Sequence, residues 1–203
     1  MRLDHIAYRV ADRQRTVQFF KDAFDYGVVE EFQIDFDDGS VANCFALEPP
    51  EAHRITAGYD TSKIKTYGNY HLAPEIFVSD GTPDSVVGQW VAARGGVGGI
   101  HHMAYEVESV EATMKEWRDK GYAEFTTEQP LVCPDLVQCF TKPSNLTGVI
   151  YEFIERDPEA KGFCKENVKD LMESTQPRDF GPHYNEAEKK YFNREHPGMK
   201  KEL

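Results

Sequence analysis

Two histidines and one glutamate in this chain have the types and the placement to hold a metal ion. His5 opens the segment His-Ile-Ala-Tyr-Arg-Val, and His102 opens His-Met-Ala-Tyr-Glu-Val. Glu152 sits in Val149-Ile150-Tyr151-Glu152-Phe153-Ile154, a carboxylate inside an apolar run. A charge within a sheet is costly unless it is paired or bound to a metal. Two imidazoles and a carboxylate, each on its own strand, can occupy one face of an octahedron. Such a site leaves positions open for substrate and oxygen. Iron(II) is the expected ion, and manganese, cobalt, nickel or zinc also suit these donors.

The elements that must position these groups follow from hydrophobic periodicity. Ile6, Tyr8 and Val10 share one strand face, as do Met103, Tyr105 and Val107, so His5 and His102 point to the opposite face. The spacing between the two histidines recurs further on. Thr16 falls on Thr113, and Phe20-Lys21-Asp22 falls on Trp117-Arg118-Asp119. This is an internal repeat, two strand-plus-helix modules with a site between them. In order, the pattern predicts a strand over 3–10 and a helix over 12–24, with Val17, Phe20 and Phe24 at helical spacing and Asp12 as cap. A hairpin follows over 28–36 and 40–47, turning at Asp37-Asp38-Gly39. A strand over 75–78 and a helix over 85–93 close the first module. The second repeats the order: strand 100–107, helix 110–120 stopped by Gly121, then strands over 123–127, 135–141 and 148–154. Each module reads β-α-β-β-β. The expected division is 1–94, 95–156 and 157–203, the last being a helix over 167–174 and a charged tail. Residues 51–72 read as a long excursion over the mouth of the site.

Other residues have competing readings. Glu75 opens the strand matching that of Glu152, and is a fourth metal ligand, a general base or a solvated strand-end carboxylate. His101 points away from His102 and reads as packing or support. His53, His71, His183 and His196 lie in polar, irregular stretches and read as solvated, while Tyr8 and Tyr105 read as core.

Composition bounds the function. With 40% apolar residues, 13 Phe and 10 Tyr among 203 residues, the chain can bury a real core. A net charge of −12 repels phosphate backbones and anionic lipid, which argues against nucleic-acid or membrane partners. No apolar run approaches the roughly 20 residues of a membrane span. The four cysteines, Cys44, Cys133, Cys139 and Cys164, show no CxxC spacing. They read as reduced thiols in a cytoplasmic protein rather than a disulfide frame or zinc knuckle.

The two His strands resemble those of the vicinal oxygen chelate superfamily, which includes glyoxalase I, methylmalonyl-CoA epimerase and extradiol dioxygenases. Residues 136–143, 151–156, 162–167 and 171–174 resemble, in the same order, the catalytic C-terminal half of 4-hydroxyphenylpyruvate dioxygenase. The resemblance implies an α+β fold of paired βαβββ modules forming a curved mixed sheet around one divalent metal. It puts the iron triad on His5, His102 and Glu152, and a substrate-contacting glutamine on Gln138, with Ser79 and Phe163 also in the substrate pocket. Gln138 and Glu75 are the catalytic candidates. The activity implied is oxygenation of a 2-oxo acid. Val168 replaces a phenylalanine that stacks on the family's aromatic substrate, so the pocket is altered. An acyl-CoA epimerase, a glyoxalase-like lyase and a non-catalytic small-molecule binder are the alternatives. A homodimer is also implied.

Overall fold

The computed structural model describes residues 1–50, 73–144, 146–157 and 162–175. The chain divides into two compact units, Asp4–Ile100 and His101–Leu203 with Met1–Leu3.

The first unit contains β1 (Arg2–Arg9), α1 (Arg13–Phe24), β2 (Gly27–Asp35), β3 (Val41–Glu48), β4 (Glu75–Gly81) and α2 (Val86–Ala93). β2 and β3 pair antiparallel, β3 and β4 antiparallel, and β4 runs parallel to β1. The β2–β3 turn needs Gly39, whose φ of 84° lies in the left-handed region. Helix α1 starts where the Asp12 carboxylate accepts the Arg15 amide at 2.9 Å. Its Val17 and Phe20 pack on Ile6, Tyr8 and Val10 of the β1 side, with Phe45, Leu47, Ile76 and Val78. His5, Ala7 and Arg9 are buried on the opposite face. Phe24, expected inward, is 53% exposed. It occupies the last turn of α1, beyond the buried Val17.

The second unit repeats the topology. It contains β5 (Gly99–Glu106), α3 (Val110–Lys120), β6 (Leu131–Cys133), β7 (Leu136–Phe140), β8 (Ile150–Arg156) and α4 (Lys165–Ser174). β6 and β7 pair antiparallel, β7 and β8 antiparallel, and β8 runs parallel to β5. Ser109 caps α3, and Gly121 ends it at φ 70°. Val110, Met114 and Trp117 of α3 pack on Tyr105, Cys139 and Phe153. The other face of the sheet carries Phe140 and Ile150, on which Leu171 of α4 rests. Among the described residues no helix is long and apolar enough to cross a membrane.

Two expectations need correction. The strand foreseen over 123–127 is reduced to one bridge, Phe125 with Thr141. The backbone hydrogen bonds beside it run from Thr126 N–H to the Phe140 carbonyl and from Lys142 N–H to the Glu124 carbonyl, at 2.9 and 2.7 Å. The Arg118 guanidinium donates to the carbonyls of Thr127 and Glu128. The ladder next to β7 is taken by Leu131–Cys133 instead. The tail after Gln176 and the 51–72 excursion lie outside the described residues.

The second correction concerns the cysteines. Cys133 on β6 and Cys164 at the start of α4 form a disulfide, while Cys44 and Cys139 are free and buried. Absence of CxxC spacing carries no information about a bridge made by tertiary proximity. The sequence separation is 31, for which the chain-entropy account gives about 3–4 kcal/mol of stabilisation. Burial pushes the Cys44 thiol up to about 12 and raises that of Cys139 too, so neither offers a thiolate near neutral pH. Thiol titration should therefore find no fast-reacting group in the native protein. It should find Cys44 and Cys139 after unfolding, and all four cysteines only after unfolding with a reductant. Four thiols without a reductant would refute the bridge.

Candidate functional site

The second unit brings two of the expected metal ligands together. β5 and β8 are parallel neighbours, with Ala104 paired to Glu152 and His102 to Ile150. The alternation of each strand turns His102, Ala104, Ile150 and Glu152 to the face away from α3. His102 Nε2 lies 3.2 Å from Glu152 Oε2, and the Glu152 side chain is 1% exposed. The imidazole packs on the Phe140 ring at a centroid distance of 4.7 Å.

The two carboxylate oxygens of Glu152 are used differently. Oε1 accepts from the Gln138 amide nitrogen at 2.6 Å, while Oε2 faces the imidazole. Gln138 is itself buried. Its amide oxygen accepts from the Asn167 side chain at 3.2 Å. These bonds offset the cost of burying a carboxylate.

His101 departs from expectation. It is buried, and its Nδ1 lies 2.8 Å from Nδ1 of His102. The Cβ atoms of adjacent strand residues diverge, but here the rings turn back toward each other. One of the two nitrogens must carry the hydrogen. When His102 donates from Nδ1, its Nε2 keeps a free lone pair for a metal.

In the first unit His5 is buried, and its Nδ1 donates to Asp4 Oδ1 at 2.7 Å. That bond likewise leaves Nε2 as the lone-pair atom. Glu75 is half-buried and pairs with His5 across the parallel β1–β4 ladder. Ser79 is buried, with its hydroxyl donating to the Tyr8 carbonyl at 3.5 Å. Phe163 is half-buried before α4, with the Arg156 guanidinium over its ring at 5.1 Å. His53, His71, His183 and His196 lie outside the described residues.

The reading from sequence missed Asp4 and Asn167. Asp4 had a signal, a carboxylate next to a strand histidine. Asn167 had none, because its partner Gln138 lies on a different element. Imidazole nitrogens with oriented lone pairs and a buried, hydrogen-bonded carboxylate form a donor set suited to a divalent transition metal.

Two successive β-α-β-β-β units, each opening with a histidine-bearing strand, define the vicinal oxygen chelate class of fold. The chain belongs to the glyoxalase/bleomycin resistance protein/dioxygenase superfamily, whose family model matches residues 4–132. Among solved structures, a variant of 4-hydroxymandelate synthase from Streptomyces coelicolor is similar over 87% of this chain and 54% of its own, at 18% identity and a TM-score of 0.66. The chain thus spans about half of that enzyme's length. A methylmalonyl-CoA epimerase from the same organism is similar over 77% of this chain and 97% of its own, at 24% identity and a TM-score of 0.53. The Mycobacterium tuberculosis epimerase is similar over 77% and 89%, at 21% identity and a TM-score of 0.54. At these identities the likeness is one of fold. No curated protein matches the chain.

Proposed function

We propose that the protein is a metal-dependent dioxygenase acting on a 2-oxo acid, with one divalent ion, iron(II), held by His5, His102 and Glu152. The observation that carries this reading is the buried pair of His102 Nε2 and Glu152 Oε2, 3.2 Å apart. His5 supports it from the matching strand of the first unit. Asp4 prepares its Nε2 as a donor, and His101 does the same for His102 in the tautomer in which His102 Nδ1 carries the hydrogen. A divalent ion held by these residues would supply Lewis-acid binding of a 2-oxo acid and activation of dioxygen.

The protein's own groups do the rest. Gln138 holds Glu152 in one orientation through the 2.6 Å bond. Ser79 and Phe163, together with the second hydrogen of the Gln138 amide, orient the substrate. Val168 is buried on α4 where the related dioxygenases stack a phenylalanine, so the favoured substrate is a 2-oxo acid other than 4-hydroxyphenylpyruvate. The synthase likeness takes in 87% of this chain against 77% for the epimerase, which supports the dioxygenase reading.

A second reading is an acyl-CoA epimerase with Glu75 as general base. It is favoured by Glu75 lying across from His5 and by the 97% coverage of the epimerase. Iron-loaded protein offered a panel of 2-oxo acids should consume oxygen and release carbon dioxide with at least one of them. Silence across the panel would remove the dioxygenase reading. Solvent deuterium entering the α-position of an acyl-CoA, and lost in Glu75→Gln, would establish the epimerase instead.

A further inference from the structure

Helix α4 reaches the metal-ligand carboxylate through a chain of oriented amides. The fixed end is the Leu131 backbone carbonyl on β6, which can only accept. The Asn167 side-chain nitrogen lies 3.3 Å from it and 3.2 Å from the Gln138 amide oxygen. One amide nitrogen has two hydrogens, so a single orientation of Asn167 serves both acceptors. Gln138 must then turn its oxygen to Asn167 and its nitrogen to Glu152, which it meets at 2.6 Å. Without Asn167 the Gln138 oxygen loses this donor, and the amide can shift its position relative to the carboxylate while still donating to it.

Among the described residues, the Cys133–Cys164 disulfide cross-links the two supports of this chain. Cys133 lies two positions after Leu131 on the three-residue strand β6, which pairs with β7 alone. Cys164 is the N-cap residue of α4, three positions before Asn167, and makes no side-chain cap bond. We propose that α4 is a disulfide-clasped positioning element, in which the Cys133–Cys164 bond holds Asn167 so that Gln138 keeps its position against Glu152. Opening the clasp requires a dithiol reductant. Two electrons and two protons pass to the cysteines, the S–S bond breaks to two thiols, and the dithiol closes to its own disulfide. Metal affinity therefore responds to thiol redox state. That readout rests on Glu152 being a ligand, whereas the orientation of the Gln138 amide does not.

The test uses the full chain, oxidised and dithiol-treated, and the Cys133→Ser/Cys164→Ser pair. The probes are Co(II) titration and the NMR signal of the Gln138 side-chain amide in metal-free protein. Breaking the clasp should move that amide signal and weaken Co(II) binding roughly 10- to 100-fold. Asn167→Leu should produce the same changes in either redox state and add little to the cysteine pair. Asn167→Ser, which cannot reach Gln138, serves if the leucine variant does not fold. An unmoved amide signal together with a Co(II) affinity changed less than about twofold overturns the proposal. If the oxidised protein binds no divalent metal, the metal reading fails. The Gln138 amide signal still decides the clasp.

Discussion

Glu152→Ala should lose its bound divalent metal, with affinity falling by more than about a hundredfold. Loss of a supporting hydrogen bond alone costs roughly 10- to 100-fold, and this substitution removes a donor atom. It also leaves the Gln138 nitrogen facing a cavity where it had a 2.6 Å bond. The orphaned donor should lower metal-free stability by about 1–3 kcal/mol. His102→Ala should match the metal loss while the Gln138–Glu152 bond survives, which separates ligation from packing. Metal content after dialysis against a fixed free-ion concentration checks both variants. Full stoichiometry in Glu152→Ala would exclude this carboxylate as a ligand.

The second large effect is on stability. Phe153→Ala should cost about 3–5 kcal/mol, the range for an aromatic ring removed from a core. Phe153 is fully buried. Trp117 meets its ring edge-on at a centroid distance of 4.6 Å, and Phe125 lies at 6.3 Å. These contacts fasten α3 to the back of β8, the strand whose front carries Glu152. Equilibrium urea unfolding measures the change, which corresponds to a fall in melting temperature of roughly 10 °C. A loss below about 1 kcal/mol would mean that the α3 face collapses around the gap.

The candidate ligands were legible for a simple reason. Strand side chains alternate with a period of two, so a histidine between apolar neighbours declares its face without any coordinates. Gln138 was named by the family resemblance alone, and its bond to Glu152 comes from the antiparallel pairing of β7 with β8. Helices α1 and α3 were equally plain, because Asp12 marks the start of the first and Gly121 the end of the second. The rest depended on partners remote in the chain. Ala123–Thr127 has the composition of a strand, yet the neighbouring edge of β7 goes to Leu131–Cys133. Local propensity cannot tell which of two segments wins one row of hydrogen bonds.

By itself, then, the order of residues determined the repeat, the helix limits and the inward faces of His5, His102 and Glu152, since each is a property of neighbours within a turn or a strand. Only the tertiary structure decided that Cys133 meets Cys164, that His101 folds back on His102, and that Asn167 reaches Gln138. Those contacts depend on where separate elements come to rest. Directional bonds a few ångströms long register that placement, and hydrophobic periodicity does not encode it.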